Sequence, residues 1–339
     1  MGDPQGSGPV TLAEVAAAAG VSPSTVSRIL NGSAVVSAAK QQAVHEAIAR
    51  LGFVPNPVAR GLAGGRTLSV GVITQALDSP FYGIAMRGIE ESLAPTGYIP
   101  LFVSGHWDER EEMRCIDTLR ARRVDGLIIL TGRLGDGALA DCARTMPVVV
   151  TGRALSAPGL FAIDFDNFEG GRLATEHLLA LGHRRIAFIS GDPKHPDALE
   201  RLRGYRAALE AAGVAYDPAL VVPGAYNERS GLEATERLIR SRRRFTAIFA
   251  ANDQMAIGAV LALHERSLRV PQDISIVGFD DVPASAFAIP SLSTIRQPAY
   301  DHGRLAAAAI VALLRGQEPD RVAPPPLLVV RQSTQPPKA

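Results

Sequence analysis

The sequence predicts an α/β protein: parallel sheets flanked by helices, preceded by a small all-α head and one further short helix. Three observations predict it. From residue 68 onward, short β-branched runs alternate with helical patterns, as parallel strands and their covering helices require. Residues 10–52 carry three helical patterns and no strand-like run. Between these regions, FVPNPVARGLAGGRT (53–67) sets one short helical run between a proline and a glycine pair.

The chain has 339 residues, 47% of them hydrophobic, which predicts two or three domains with sizeable cores. The net charge is +1, so no global basicity marks a nucleic-acid binder. Residues 1–67 carry five basic and three acidic residues, a net +2. A head this weakly basic gains phosphate contacts by acting as a dimer. Cys115 and Cys142 lack CxxC spacing and read as free thiols of a reducing compartment. No stretch reaches the ~18 apolar residues of a membrane span. MGDPQGSGPV has no signal-peptide pattern. Residues 1–9 read as a disordered tail, and the expected location is cytoplasmic.

In the first helix of the head, Leu12, Val15 and Ala16 share one face. Gly20 and Val21 make a tight turn, since glycine takes the left-handed backbone of a helix exit. Ser22 then caps a second helix and Pro23 occupies its first position. That helix buries Val26, Ile29 and Leu30, and turns Ser22, Ser24, Thr25, Ser27, Arg28 and Asn31 outward. Hydroxyls and Asn hold phosphates, and Arg pairs with a guanine edge. This is a helix-turn-helix pattern; the plainer alternative is an ordinary helical hairpin. Ser37 begins a third helix carrying Val44, Ala47, Ile48 and Leu51, and Gly52 ends it. Beyond it, Asn56-Pro57 starts a run from Val58 to Ala63 that Gly64-Gly65 stops. Under three turns long, it is marginal alone, so it reads either as a switch that folds on a partner or as a plain linker.

The strand runs are LSVGVIT (68–74), IPLFVSG (99–105), GLIILTG (126–132), PVVVTGR (147–153), FAIDFD (161–166), RIAFISG (185–191), AIFAAND (247–253) and ISIVGFD (274–280). They divide into two half-units, 68–165 and 166–290. STIRQPAYDHGRLAAAAIVALLRG adds a strand and a helix, and PPLLVVRQST a final strand. The chain is expected to cross between halves near 165, 292 and 325. Ligands of such folds sit beyond the strands' carboxyl ends.

These motifs closely resemble the lactose-repressor (LacI/GalR) family of bacterial transcription regulators. The resemblance runs from Val10 to Thr334. It rests on VTLAEVA…GVSPSTVSRILNG, GFVPNPVARGLAGGRT, DNFEGGRLATEHLLALGHRRIAFISG, ANDQMAIGAVLAL and DISIVGFDD…PSLSTIRQP. It implies that the second helix enters the major groove, with Pro23, Ser24 and Arg28 at base-reading positions. Pro23 has only an apolar ring to offer, against a thymine methyl. It also implies that the 56–67 segment is a hinge helix that folds in the minor groove, paired with its dimer mate. Leu62 would be its wedge, with Asn56 and Ala59 beside it. Thr11, Ser22, Thr25, Ser27 and Asn31 complete the expected DNA-facing set.

The resemblance further implies a periplasmic-binding-protein-like core, two α/β subdomains around a ligand cleft. The expected divisions are a head (10–55), a hinge (56–67), one subdomain of 68–165 plus 293–325, and another of 166–292 plus 326–339. Expected effector contacts are Asp78, Ser79, Phe81, Arg153, Phe165, Arg201, Tyr226, Asn252, Asp253, Asp280, Gln297 and His302. Carboxylates, amides and arginines with aromatic platforms suit a polyhydroxylated ligand. Plainer roles stand beside these: Asp253 as a helix cap, Asp280 and Asp281 as caps or turns, Phe81 and Phe165 as core. His106-Trp107-Asp108 reads as the start of the next helix rather than a metal or sugar site.

The expected function is a ligand-responsive DNA-binding regulator, a repressor, that binds a palindromic operator as a homodimer and takes a small-molecule effector, a sugar or sugar derivative. The alternatives are a non-enzymatic sugar-binding or sensing protein, and a regulator with a nucleobase effector. No enzyme is expected, and no cofactor or metal: the chain lacks GxSxG, GxxxxGK[ST], HExxH and paired Cys/His spacings. No heptad tail follows the last strand, so a dimer is expected rather than a coiled-coil tetramer. Effector release and effector promotion of DNA binding both remain open.

Overall fold

The computed structural model describes residues 10–31, 36–53, 66–320 and 324–338. The tail 1–9 and the hinge residues Asn56, Ala59 and Leu62 lie outside them. The described chain forms two compact units, one ending at Leu68 and one starting at Ser69.

The first unit holds helices α1 (Leu12–Ala19), α2 (Pro23–Asn31) and α3 (Ala38–Leu51). Thr11 and Glu14 form a reciprocal capping box: Glu14 N–H donates to Thr11 Oγ1, and Thr11 N–H donates to Glu14 Oε2. Gly20 exits α1 at φ 66° and donates to the Ala16 carbonyl. Ser22 Oγ accepts Thr25 N–H at 3.2 Å and so starts α2. Val15, Ala16, Val26, Val44 and Ala47 are buried together, with Leu12, Ile29, Leu30, Ile48 and Leu51 packed around them.

The second unit contains two sheets. The first is built from β1 (Ser69–Thr74), β2 (Ile99–Ser104), β3 (Gly126–Leu130), β4 (Val148–Thr151) and β5 (Leu160–Ile163), in the order β2-β1-β3-β4-β5 and parallel throughout. Its helices are α4 (Pro80–Leu93), α5 (Glu109–Ala121) and α6 (Asp136–Ala143). The chain then crosses into α7 (Asn167–Ala180), β6 (Ile186–Ser190), α8 (Pro196–Ala211), β7 (Val221–Pro223), α9 (Glu228–Arg240), β8 (Ala247–Ala250), α10 (Asp253–His264), β9 (Ser275–Asp280), α11 (Pro283–Phe287) and β10 (Ser293–Arg296). Helix α12 (Ala299–Leu314) returns to pack on α4 and on β3–β5, and β11 (Leu327–Val329) closes the second sheet. That sheet runs β11-β10-β9-β8-β6-β7, with β11 antiparallel to β10.

One expected boundary is corrected. β10 pairs in parallel with β9, from Ser293↔Val277 to Arg296↔Asp280, so the second crossing lies after Arg296 rather than near 292. Thr294 Oγ1 donates to Asp253, and Ser293 N–H donates to Ser333. These buried polar contacts hold the strand in the second sheet.

Three helix pairs approach through glycines. A Cβ on Gly204 (α8) would fall against the Phe168 carbonyl of α7, and one on Gly171 against the Arg201 carbonyl. Gly231 and Gly258 join α9 to α10 in the same way, as Gly88 and Gly303 join α4 to α12. The α7–α8 approach sets Asn167 against Arg201. Gly204→Ala is therefore expected to cost about 2–3 kcal/mol, because the atoms it would strike, the Phe168 carbonyl and the Arg172 amide nitrogen, are backbone and the helices must separate. At Gly83 of α4, nothing lies within 4 Å of the place a methyl would take, so Gly83→Ala should gain up to about 1 kcal/mol. Urea unfolding of both variants checks the pair, and equal midpoints would refute the close-approach reading.

Candidate functional site

A cavity of about 300 Å³ lies between the two lobes of the second unit, beyond the carboxyl ends of β1, β8 and β9. The first lobe contributes Asp78, Ser79, Phe81, Tyr82 and Trp107 to its wall. The second contributes Asp197, Arg201, Tyr226, Glu228, Asn252 and Asp280, among others.

Arg201 is the centre of the second lobe's wall. It is 4% exposed and projects from the second turn of α8. Its Nε donates to Asn167 Oδ1 at 2.8 Å, one terminal nitrogen to the Ala251 carbonyl, and the other to Gln297 Oε1 at 3.2 Å. The guanidinium lies 3.7 Å over the Phe279 ring, which adds a cation–π contact. Elements α7, β8, β9 and the crossing after β10 thus all orient one side chain.

Asp280 ends β9 at φ 107°. Burial pushes its carboxyl well above the usual range, against the pull of Arg201. Asp197, one helical turn before Arg201, is raised by burial and opposed by Arg201 likewise. Asn252 caps α10: its Oδ1 accepts Met255 N–H, and its Nδ2 donates to the Tyr226 carbonyl. Tyr226 sits at φ 60°, and its ring covers Gly191, where any Cβ would strike it.

A column of rings joins the lobes. Trp107 stacks on His195 at 4.0 Å and 17°, and His195 lies parallel to Tyr226 at 5.8 Å and 2°. Trp107 N–H donates to Gln75 Oε1, and Arg133 donates to the Trp107 carbonyl. These bonds hold His106 and Trp107 in the left-handed region, at φ 53° and 55°. Burial lowers the pKa of His195, which favours the neutral ring. Among the described residues, the Tyr226 hydroxyl and His195 Nδ1 have no hydrogen-bond partner.

Of the expected effector residues, Asp78, Ser79, Phe81, Arg201, Tyr226, Asn252 and Asp280 meet at this cavity. Five do not reach its wall. Asp253 is turned into the second lobe's core, where it accepts from Val282 N–H, Ser285 Oγ and Thr294 Oγ1 at 2.9, 2.6 and 2.5 Å. It is the first residue of α10 and not its cap, which is Asn252. Gln297 acts through Arg201. Arg153 donates to the Gly132 and Leu134 carbonyls and pairs with Asp136; with Phe165 it lines a separate hollow. Phe165 is 4% exposed and meets Phe279 and His302 edge-on. His302 is buried, and that burial lowers it to about 4.

Sequence reasoning missed Tyr82, Trp107, His195 and Asp197. Asp108 does cap α5, accepting from Arg110 and Glu111 N–H, yet Trp107 beside it reaches the cavity. The spacing of Asp197 four residues before Arg201 placed both on one face of α8 and could have flagged it.

In the head, Ser22, Pro23, Ser24 and Arg28 are exposed, and Thr25 and Ser27 half-buried. The hydroxyls of Ser24 and Thr25 lie 2.8 and 2.9 Å from that of Ser22, which makes a compact polar tip at the α2 N-terminus. Thr11 is exposed and already engaged in its capping box.

Residues 11–56 match the model for bacterial regulatory proteins of the lacI family, and 175–334 match the periplasmic binding protein-like domain. The HTH-type transcriptional repressor PurR of Haemophilus influenzae is 34% identical over 330 residues, covering 95% of this chain and 98% of that protein. The ribose operon repressor of Escherichia coli K12 is 36% identical, covering 89% and 92%. A Lac repressor dimer bound to operator and the anti-inducer ONPF superposes with TM-score 0.86 at 32% identity, covering 97% of this chain and all of that one. The regulator CelR in complex with cellobiose matches with TM-score 0.72 at 36% identity, covering 96% and 99%. Among the described residues no helix is long and apolar enough to cross a membrane, and no group of three or more His, Cys, Asp or Glu could hold a metal ion.

Proposed function

Because the chain belongs to the lacI family of bacterial regulatory proteins, we propose that it is a cytoplasmic, non-catalytic repressor that binds a palindromic operator as a homodimer and responds to a sugar effector. The observation that carries the effector reading is the polar cavity walled by both lobes. A ligand that touches both lobes has different affinities for their different relative orientations, which is the condition for allosteric control. Asp197, Asp280, Asn252 and Arg201 offer acceptors and donors for hydroxyls, and Phe81, Trp107 and Tyr226 offer ring faces.

The ring column favours a sugar over a nucleobase. A planar base held between two rings needs them about 7 Å apart, two contact distances of about 3.5 Å. Trp107, His195 and Tyr226 stand 4.0 and 5.8 Å apart, already in contact or nearly so. Self-association is supported by an apolar surface on the second lobe: Phe287 is 85% exposed and Ile289 92%, with Leu261 beside a hollow of Ile257, Val260 and Leu292. Exposed apolar surface of this kind marks an interface, and a two-fold dimer matches a palindromic operator.

A thermal-shift panel of sugars, sugar acids, sugar phosphates and nucleobases tests the effector reading, since a ligand of the folded state alone must raise Tm. Operator duplexes selected from a random library then report binding by anisotropy, with and without the hit. Leu62→Gly is expected to weaken operator binding at least about tenfold, the loss of an apolar wedge, while effector affinity stays put. Equal operator affinity for mutant and parent would sink the wedge assignment.

A further inference from the structure

The geometry points to an effector that carries no negative charge, with Asp197 as the residue that enforces this. The inference rests on the cleft being the effector site and deepens that reading. Four carboxyl side chains wall the cavity (Asp78, Asp197, Glu228 and Asp280) against one cation, Arg201. Its charge is already engaged within the wall. Each of its three nitrogens donates to a protein acceptor, and its charge is shared between Asp197 and Asp280, both of which it stabilises. An incoming phosphate or carboxylate would meet a wall of carboxyl oxygens with a single cation to balance them. Uncharged hydroxyls are suited to it instead: they donate to carboxylates that lack enough partners.

Asp197 matters most because it faces two spaces. It also lines a hollow of about 690 Å³ on the Phe165 side of the cleft. There Asp164, Asp166, Glu169 and Glu200 stand with it. Arg153, the cation of that wall, spends its guanidinium on Gly132, Leu134 and Asp136. Carboxyls therefore line both spaces, with Glu169 paired to Arg172 and Glu200 to Arg203, and a cleft lined mainly by one sign focuses its field on whatever enters.

Trp107 is the sole tryptophan of the chain and lines the cavity, so its fluorescence reads the local field without any effector. At low, constant ionic strength, and with each quencher scaled to its effect on free N-acetyltryptophanamide, iodide should quench the full-length protein far less than caesium or neutral acrylamide does. Asp197→Asn should raise iodide quenching, lower caesium quenching and leave acrylamide unchanged. Should that variant fail to fold, Asp78→Asn and Glu228→Gln, at exposed positions, carry the same comparison. In calorimetry, each uncharged or amino sugar that binds should bind about a hundredfold more tightly than its phosphate or uronate counterpart, the penalty of one like-charge juxtaposition. Asp197→Asn should shrink that ratio at least tenfold. Iodide quenching as strong as caesium quenching in the parent protein would overturn the inference. So would an anionic sugar that binds as tightly as its neutral parent, or a discrimination ratio that Asp197→Asn leaves intact. If the quenching asymmetry holds while no sugar of any charge binds, the charge filter stands and the sugar reading of the cleft falls.

Discussion

Arg201→Met is expected to lower stability by about 3–5 kcal/mol at neutral pH and to weaken the effector response. Methionine preserves the length and apolar body of the side chain, so the contact with Phe279 is largely kept. What disappears is the charge and three donors. Asn167 Oδ1, the Ala251 carbonyl and Gln297 Oε1 all lose a partner, and each buried acceptor left without one costs about 1–3 kcal/mol. Asp197 and Asp280 lose the cation that keeps their carboxyls from rising further. Breaking a buried charged constellation from one side falls in the range of about 3–5 kcal/mol. Effector affinity should drop about 10- to 100-fold through the loss of charge-assisted hydrogen bonds. Arg201→Lys separates the two effects. It restores the charge without the planar fork, so the acidic pair recovers while the three-acceptor geometry does not. Urea unfolding and calorimetry on both variants decide it. A methionine variant within about 1 kcal/mol of the parent would mean that the three acceptors find water, and that Arg201 is not the keystone of this wall.

The same residue shows how far the site was legible beforehand. Position at the end of a parallel strand, or one turn into the helix after it, locates a side chain's neighbourhood, because all such ends converge on one cleft. Asp78, Asn252 and Asp280 were legible on that ground. Direction was not. Asn252 and Asp253 are consecutive, yet one borders the cavity and the other is sealed under β10. Adjacent residues at a strand-to-helix junction point opposite ways, and only the packing of α11 and β10 selects which faces in. Arg153 and Phe165 also sit at strand ends, and they turn to the other side of the cleft. Trp107 was illegible for another reason. Its loop has a complete local explanation as the lead-in to the Asp108 cap; what carries the ring to the cavity is a pair of left-handed residues, His106 and Trp107, held by bonds from Gln75 and Arg133. Their partners come from distant parts of the chain, which no periodicity announces.

The fold was legible to a greater degree, since alternating strand and helix patterns leave few topologies. The one misplaced piece, β10, is instructive. STIR reads equally well as a strand of either sheet, because both sheets bury their strands on both faces. Its membership is decided by hydroxyls, Ser293 on Ser333 and Thr334, and Thr294 on Asp253. A buried polar network specifies an arrangement that apolar pattern alone leaves degenerate.

Asp253 at the centre of that network is expected to make the second lobe less stable as pH rises from about 4 to 6. Its carboxyl is raised to about 6, mainly by burial, which outweighs the hydrogen bonds from Ser285, Thr294 and Val282 that favour the charged form. In the unfolded chain it titrates near 3.9. Between these values the folded state holds the proton that the unfolded state has released, so stability falls with increasing pH across this window. A shift of about two units corresponds to about 3 kcal/mol in all. Asp280 and Asp197 are raised as well and act in the same direction, so the parent protein alone does not isolate Asp253. The Asp253→Asn variant does. It keeps one acceptor oxygen and removes the titration, so the difference in unfolding free energy, parent minus variant, should decline by about 3 kcal/mol from pH 4 to pH 7. A difference that stays flat over this interval would show that the three hydrogen bonds fully offset the burial. Asp253→Ala should then be most costly at the acid end. There the parent carries a neutral carboxyl at little desolvation cost, and its loss strands the Val282 N–H, which cannot rotate to another acceptor. Near pH 7 the same replacement also relieves a buried charge, and the two effects partly cancel.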